Sequence, residues 1–438
     1  MFDHLNIWSE LPLDEQDAIL QRPALLDDQA IRDQARDIIA AVRRDGDRAL
    51  FKLSSQFEGR EPDSLTVSRQ EFADAEATLS SASIQAIDIA IANVRQFHEP
   101  QLPADIDMPM GPGVRCERRR QAIDSVGLYV PAGSAPLPSA AIMLGVPAAI
   151  AECPVRILCT PADADGNINA ATLVAAQRSG ITDVFKVGGA QAIAAMAYGT
   201  ETVPKVAKIF GPGNVWVTAA KSIVASDPAG ASIDMPAGPS EMLLIADAAA
   251  SPVFAAADLL SQAEHGEDSQ VLLITSSREL AEATMRETEN QLRVLPRQGI
   301  ARAALCNSHV ILVDDIATAI AISNRYAPEH LILQIDSPRD SLDQVRNAGS
   351  VFLGEWTPES VGDYCSGTNH VLPTYGNARS YSGLGVEQFM RYMTVQELSK
   401  DGLVSLAPTV IELAELEGLD AHAQAVRLRL ETSTARRA

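Results

Sequence analysis

Positive charge is scarce in this sequence. Its 35 lysines and arginines stand against 57 aspartates and glutamates, which gives a formal net charge of -22 over 438 residues. A surface of that sign repels phosphate backbones and anionic lipid headgroups, so we expect neither a nucleic acid nor a membrane as partner. Long apolar runs are also missing, because none reaches the roughly 18–20 residues that a transmembrane helix needs.

Cysteine is rare as well. The five cysteines are odd in number, scattered and free of any CxxC pair, which argues against a disulfide framework and fits a reducing compartment. The N-terminus "MFDHLNIWSELPLDEQ" is acidic and lacks the basic start and apolar core of a signal peptide. We therefore expect a cytoplasmic protein. With 46% apolar and 21% charged residues the composition is globular, and the length predicts two or more domains.

Two patterns follow one another along the chain. Residues 26–98 repeat apolar positions every three or four residues, which predicts helices. From about residue 125, short β-branched runs alternate with alanine-rich helical runs as far as "SVFLG" at 350–354. This alternation is typical of βαβ units, which form parallel sheets covered by helices. From residue 386 onward the pattern is helical and polar, without strands.

The predicted fold class is therefore α/β, with two parallel-sheet, incomplete Rossmann-like domains and helical segments at both ends. The usual dinucleotide fingerprint GxGxxG is absent, so a dinucleotide that bound here would not bind in the standard mode. The predicted parts are an N-terminal segment, a large α/β domain in two pieces, a smaller α/β domain and a helical C-terminal segment. In that order they span residues 1–25, 26–129 plus 237–380, 130–236, and 381–438. The early helices are assigned to the large domain because 26–98 has no core of its own.

Three glycine-bearing turns in the smaller domain are the first candidate site. They are "YVPAGSAPLPSA" (129–140), "VGGAQA" (187–192) and "FGPGNVW" (210–216), and each joins a predicted strand to a predicted helix. Glycine lets a ligand approach the backbone, and a helix start offers free N–H groups to a phosphate. Glycine is also common in such turns. Three such turns in one domain fit a binding site for a phosphate-bearing cofactor about as well as they fit ordinary turns between strands and helices.

The larger domain and the C-terminal segment contain candidate metal ligands. In the larger domain, Gln262 and His265 lie three residues apart on one face of a predicted helix. In the C-terminal segment, Glu417 and His422 lie five residues apart, in or beside a predicted helix. Each pair fits either a metal site or an ordinary polar helix surface. Histidine, aspartate and glutamine together supply the nitrogen and oxygen ligands that suit zinc, but no single segment provides a full site.

The loop "SVGDYCSGTNHVLPTYG" (360–376) adds Asp363, Asn369 and His370 within a few residues. Function concentrates in polar loops of this kind. Cys365 lies among them, but no nearby feature lowers its pKa, so we interpret it as a passive thiol rather than a nucleophile.

"NRYAPEHLILQID" (324–336) sets Glu329 and His330 side by side. Adjacent residues on a helix or strand point in different directions, so a pair acting at one point should sit in a bend. A predicted helix ends near Tyr326 and a predicted strand follows, which places the pair at such a bend.

The same segments, read together, resemble the histidinol dehydrogenase family. The resemblance is carried in order by "VGLYVPAGSAPLPS", "FGPGNVWV", "DMPAGPSEMLLIAD", "LLSQAEHGEDSQ", "NRYAPEHL", "GDYCSGTNHVLPTYG" and "MTVQELSKDGL". It runs from about residue 25 to 430. It implies the last step of histidine biosynthesis, a four-electron oxidation of L-histidinol to L-histidine by way of histidinal, with two NAD+ and one bound zinc ion per subunit.

The resemblance also implies a role for individual residues. The metal ligands are expected at Gln262, His265, Asp363 and His422, and the catalytic pair at Glu329 and His330. Substrate contacts are expected at Ser240, His370 and Glu417, together with the metal ligands and the catalytic pair. NAD contacts are expected at Tyr129, Gln191 and Asn214, in the three glycine-bearing turns. The family is a homodimer whose C-terminal segment crosses over, so Glu417 and His422 are expected to complete the partner's site.

The chemistry explains why this pair is needed. Hydride leaves a carbinol carbon only if the hydroxyl proton leaves too, and imidazole, with a near-neutral pKa, is a suitable base, so His330 is the candidate. The aldehyde must then add water, which Glu329 can activate. Three alternatives stay open: a relative oxidising another amino alcohol or polyol, a metal-dependent hydrolase, and a cofactor-free binding protein.

Overall fold

A computed structural model describes residues 4–23, 29–57, 59, 62–132, 135–181, 183–236 and 238–435. By their contacts these form two compact units. The first unit comprises Met1–Gln101 and Ile123–Phe389, and the second comprises Leu102–Ala122 and Met390–Ala438. Both parallel sheets belong to the first unit. The bounds of the four parts drawn from the sequence stay a prediction.

The strands of the described residues, in chain order, are β1 (Leu5–Ile7), β2 (Ile106–Gly111), β3 (Val114–Ala122), β4 (Ser125–Tyr129), β5 (Val155–Thr160), β6 (Asp183–Lys186), β7 (Lys208–Phe210), β8 (Ser232–Ile233), β9 (Glu241–Ala246), β10 (Gln270–Thr275), β11 (His309–Leu312), β12 (His330–Gln334), β13 (Ser350–Leu353) and β14 (Met390–Leu398).

The α-helices are α1 (Leu13–Ile19), α2 (Gln29–Asp45), α3 (Asp47–Phe57), α4 (Arg69–Thr78), α5 (Ser81–His98), α6 (Pro138–Ile150), α7 (Ala170–Arg178), α8 (Gly189–Tyr198), α9 (Val215–Ser226), α10 (Pro252–Ala263), α11 (Arg278–Leu292), α12 (Gln298–Cys306), α13 (Ile316–Tyr326), α14 (Glu359–Tyr364), α15 (Lys400–Leu416) and α16 (Asp420–Ala435). Short 3-10 helices span Trp8–Glu10, Glu99–Gln101, Pro338–Gln344, Asn377–Arg379 and Val386–Phe389.

The larger sheet of the first unit is parallel, with strand order β1-β11-β10-β9-β12-β13. Strands β9, β10 and β12 are buried along their whole length. Such continuous burial explains why "EMLLIA" and "QVLLIT" read as unbroken apolar runs rather than alternating ones, since helices cover both faces of a parallel sheet. The α/β fold class predicted from the sequence is confirmed.

The smaller sheet is also parallel, with order β6-β5-β4-β7-β8. Here the structure corrects one assignment, because the sequence predicts that the helices of 26–98 belong to the large domain. Helix α2 instead contacts α8 and α9, α4 contacts α7, and α5 contacts α6. The apolar faces of α2 and α3, which include Val42 and Leu50, share a core with Ile193 and Ile209. These early helices therefore pack with the smaller sheet and its helices.

The second unit holds a three-stranded antiparallel sheet, ordered β14-β3-β2, and the helices α15 and α16. The prediction that no strand follows residue 386 is wrong, because β14 pairs with β3 along its full length. This strand is exposed or half-exposed throughout. It therefore lacks the alternation of apolar and polar residues by which a half-buried strand is recognised, and its partner lies far away in sequence.

Within the described ranges, none of the helices is both long enough and apolar enough to cross a bilayer.

Candidate active site

A cavity of about 1460 Å³ lies in the first unit and is lined by residues from around both parallel sheets. It brings together ten of the residues singled out from the sequence: Tyr129, Gln191, Asn214, Ser240, Gln262, His265, Glu329, His330, Asp363 and His370. These residues come from seven separate stretches of chain. The cavity is therefore the candidate active site.

The two sheets present opposite ends to this cavity. The smaller sheet contributes the carboxyl ends of β4 and β7 and the N-termini of α8 and α9. The larger sheet contributes the amino ends of β9 and β12 and the C-terminal end of α10. Helix N-termini favour anions and helix C-termini favour cations. One side of the cavity thus suits phosphate groups, and the other suits a metal ion.

The predicted cofactor residues lie on the phosphate-favouring side. Tyr129 ends β4, and its hydroxyl accepts a hydrogen bond from the backbone N–H of Gly189 at 2.9 Å. Gln191 is buried in the first turn of α8. Asn214 caps α9 by accepting from the Val217 N–H at 3.1 Å. All three glycine-bearing turns therefore face one space.

The predicted metal ligands of the first unit lie on the opposite side. Ligand atoms of His265, Glu359 and Asp363 all fall within 4.8 Å of one another. Gln262 is fully buried, and with its amide nitrogen turned toward Glu359 it donates to that carboxylate. The donor set of imidazole, carboxylate and amide matches the nitrogen and oxygen ligands of zinc. These residues fit a divalent cation.

Burial dominates the ionisation of this cluster. It raises the pKa values of the Glu329 and Glu359 carboxyls well above their usual range, and the neighbouring Asp363 adds to both shifts. Burial also lowers the pKa of His265, although Asp363 opposes that change. Crowded, desolvated carboxyls of this kind gain from a nearby cation. The electrostatics therefore agree with the donor set.

The bend that holds Glu329 and His330 is built from local backbone features. Helix α13 ends at Tyr326, and Ala327 follows in the left-handed conformation with φ 55°. Pro328 cannot continue a helix, and β12 begins at His330. The bend expected from the sequence is present, and both side chains are buried in the cavity wall.

The backbone of Glu241 fixes both members of the pair. Its N–H donates to Glu329 Oε2 at 3.0 Å, and its carbonyl lies 3.2 Å from His330 Nδ1. A carbonyl can only accept, so His330 Nδ1 carries the proton and Nε2 keeps a lone pair. Nε2 is buried and has no hydrogen-bond partner among the described residues, with Asp363 Oδ1 at 3.8 Å. Burial lowers the pKa of His330 to about 4, so the ring is neutral near pH 7.

Two predicted residues belong to the other unit. Glu417 follows α15 and His422 lies in α16, and both are exposed in the single chain.

Ser240 and His370, the other two predicted substrate contacts, line the cavity, and His370 Nδ1 lies 2.8 Å from the backbone carbonyl of Asp363. The first unit therefore supplies three of the four predicted metal ligands.

Sequence reasoning missed Glu359, Glu241 and Asp258. Glu359 begins the short helix α14 and is 1% exposed, with Oε1 3.6 Å from His330 Nδ1. Asp258 accepts a hydrogen bond from Gln334 at 2.7 Å, and burial raises its pKa to about 7. Glutamates and aspartates are abundant in this chain. Only their burial distinguishes these three, and no spacing signals it.

Known proteins resemble this chain over nearly its whole length. A family model described as histidinol dehydrogenase matches residues 21–430. A histidinol dehydrogenase of Vibrio vulnificus (strain YJ016) is 52% identical over 430 residues, which cover 98% of this chain and 99% of that protein. One from Colwellia psychrerythraea (strain 34H / ATCC BAA-681) is 49% identical over 431 residues, with coverages of 98% and 99%. The crystal structure of histidinol dehydrogenase from Elizabethkingia anophelis superposes with a TM-score of 0.93 at 45% identity, covering 99% of each chain.

Proposed function

The chain belongs to the histidinol dehydrogenase family, and we propose that the cavity of its first unit is where it oxidises L-histidinol to L-histidine with NAD+. The reaction removes two hydrides in succession. The alcohol gives histidinal, and the hydrated aldehyde gives the carboxylate. One cavity that joins a phosphate-favouring side to a cation-favouring side has room for both the cofactor and the substrate.

The observation that carries this proposal is the tautomer of His330, which a hydrogen bond at Nδ1 sets. The His330 ring lines the cavity, and its Nδ1–H is held by the Glu241 carbonyl. Its buried Nε2 lone pair has no hydrogen-bond partner within the described parts of the chain. We assign Nε2 as the base that takes the hydroxyl proton while hydride leaves the same carbon. Glu329, 3.6 Å from the same ring, is assigned to activate the water that adds to histidinal.

The metal site is the second part of the proposal. We assign Gln262, His265 and Asp363 as zinc ligands, supported by their donor chemistry and by the cluster around Asp363. When bound, zinc would take the amine and imidazole of the substrate as ligands, polarise the reacting centre and favour the charged form of Glu329. Ser240 and His370 line the same space and are assigned to the substrate.

The cofactor assignment follows the helix N-termini. We assign Tyr129, Gln191 and Asn214 as NAD contacts, because they lie at the starts of α8 and α9 or touch them. The free N–H groups of those first turns suit the pyrophosphate. The absence of GxGxxG means that the three turns share this task rather than one loop performing it.

A homodimer with shared sites completes the proposal. Glu417 and His422 are assigned to the partner's cavity, His422 as the fourth metal ligand and Glu417 as a substrate contact. Helix α15 supports this, because its Leu413 and Leu416 are 55% and 75% exposed in the single chain. We also propose a cytoplasmic location. No disulfide joins any of the five cysteines, all of which lie in the described part of the chain.

Two substitutions test the division of labour. His330→Asn should slow oxidation of histidinol by about 10²–10⁴-fold because the base is lost. Glu329→Gln keeps the hydrogen bond from Glu241, so it should spare the alcohol step and slow oxidation of histidinal. NADH formation from each substrate, followed separately, gives both rates. Equal defects of the two variants on both substrates would refute the assignment.

A further inference from the structure

Arg22 lies outside the cavity lining, yet it contacts both backbone segments that hold the catalytic pair. Its Nε and Nη2 donate to the two carboxylate oxygens of Glu241 at 2.5 and 2.8 Å. Nη2 also donates to the backbone carbonyl of Tyr326 at 2.8 Å and to that of Ala327 at 3.3 Å. The side chains of Arg22 and Glu241 are only 11% and 2% exposed.

The two segments that Arg22 joins are the two supports of the pair. Glu241 supplies the N–H that holds Glu329 and the carbonyl that holds His330. Tyr326 and Ala327 form the end of α13 and the left-handed turn from which the pair projects. A guanidinium that binds both therefore fixes the distance between the bend and the start of β9.

The shape of arginine matters at this position. Its planar fork meets the carboxylate with two parallel hydrogen bonds and still reaches the helix end, which a single ammonium group cannot reproduce. The guanidinium carbon also lies 3.8 Å from the centre of the Tyr326 ring. The Tyr326 hydroxyl in turn donates to Gln270 at 2.8 Å, and Gln270 donates to the Gln21 carbonyl at 3.0 Å.

We propose that Arg22 is a positioning residue for Glu329 and His330, acting through the Glu241 carboxylate and the carbonyls at the end of α13. The inference rests on the proposed function of that pair. It assigns the N-terminal segment a part in positioning the pair, although none of its described residues, 4–23, lines the cavity. A shift of the pair by an ångström is enough to slow both hydride steps.

The test uses the conservative variant Arg22→Lys in the full-length, zinc-loaded enzyme. We expect kcat to fall about 10- to 100-fold with histidinol and with histidinal, because both members of the pair move. The KM for NAD+ and the zinc content should stay unchanged, since neither of those sites contacts Arg22. A variant that merely folded less well would lose activity in proportion to its unfolded fraction, which thermal denaturation measures.

Arg325→Lys is the matched control. Arg325 also joins the N-terminal segment to α13, through Asp17, but on the surface and without contact to Glu241. Its kcat should equal that of the wild type. If Arg22→Lys does not fold, Glu241→Gln takes its place. It removes the negative charge that Arg22 binds and keeps the backbone N–H and carbonyl that hold Glu329 and His330.

Two results would overturn the proposal: a folded Arg22→Lys enzyme with wild-type kcat, or a loss that tracks only the unfolded fraction. His330→Asn, assayed in parallel, separates the two levels of inference. If His330→Asn kept full activity, the proposed function of the pair would fail. If only His330→Asn lost activity, the role of Arg22 alone would fail.

Discussion

At the scale of single residues, desolvation explains most of the ionisation in this site. Burial lowers the pKa of His330 to about 4 and raises that of Asp258 to about 7. The same cause acts in opposite directions because the charged form is the acid of one group and the base of the other. The neutral imidazole is what a proton acceptor requires.

Asp258 gives a prediction for stability. Its pKa is above the ordinary aspartate value in the folded state, so the folded protein keeps this proton longer than the unfolded chain. The stability of the fold therefore decreases as pH rises from about 4 to 7. Asp258→Asn removes this loss, so we expect a larger gain in Tm at pH 8 than at pH 5. The exposed Glu282→Gln should show no such difference; an equal effect at both pH values for Asp258→Asn would contradict the assignment.

Glu359 gives a prediction for metal binding. Its carboxylate accepts from Gln262 and lies beside the imidazole of His330. Partners of metal ligands tune affinity, so Glu359→Gln should weaken zinc binding about 10- to 100-fold in a chelator competition. The exposed Glu355→Gln serves as control. Unchanged zinc affinity in Glu359→Gln would show that this carboxylate neither orients nor holds the metal site.

Residues that carry the family motifs could be found from the sequence, and those that support them could not. Gln262, His265 and Asp363 stand in recognisable segments, and the structure places all three on one cavity. The contacts of Glu359 with Gln262 and of Arg22 with Glu241, on which their proposed roles rest, cross long stretches of chain. Glutamates and arginines are common in this chain, and only the folded structure shows which of them contact the site.

At the scale of elements, the direction of the helices separates the two halves of the site. Helices α8 and α9 begin at the cavity, whereas α10 ends there. The general rule that ligands bind at the carboxyl ends of parallel strands holds for the smaller sheet. The larger sheet departs from it, and the metal ion proposed there would gain from a helix C-terminus and buried carboxylates rather than from N–H groups.

The turn after β7 gives a prediction for cofactor binding. Lys221 and Asp234 form an ion pair that is 4% and 1% exposed, and together they hold Gly211. Asp234 accepts from the Gly211 N–H at 2.8 Å, and Lys221 donates to its carbonyl at 2.9 Å. Lys221→Met leaves a buried charge unpaired, which costs about 3–5 kcal/mol, and should raise the KM for NAD+.

The control for that turn is Lys205→Met, because Lys205 donates to a backbone carbonyl on the surface. It should change neither the free energy of unfolding nor the KM for NAD+. A Lys221→Met enzyme with reduced stability but an unchanged KM for NAD+ would show that the ion pair supports the fold without shaping the cofactor turn.

Elements with strong periodicity were predictable and those without it were not. The buried strands β9, β10 and β12 follow from their apolar runs. Strand β14 has little burial on either side, so its residues carry no such signal. The periodicity of α2 and α3 predicts their apolar faces, but it cannot say which of two sheets covers them.

At the scale of the whole molecule, each unit contains part of the proposed site. The first unit has the cavity and three of the proposed metal ligands, and the second has Glu417 and His422. The family resemblance, rather than any pattern in the chain, led to the expectation that a partner subunit supplies the second part. Sequence spacing carries no information on which copy of the chain a residue serves.

Shared sites predict complementation between inactive variants. His330→Asn and His422→Asn should each be nearly inactive as homodimers. Dissociating and re-associating an equal mixture should restore activity, because about one site in four then receives both native residues. A mixture that never exceeds its parents, although mass spectrometry shows mixed dimers, would place both residues in the same subunit's site.

The central claim is that one cavity in the first unit couples a metal-held substrate to NAD+. Its most direct test is the stoichiometry and metal dependence of turnover. We expect two NADH for each histidinol converted to histidine, complete loss of activity after chelation, and recovery on adding zinc to the wild type but not to His265→Ala. NADH formation that persists undiminished in the metal-free enzyme, or stops at one NADH per histidinol, would contradict it.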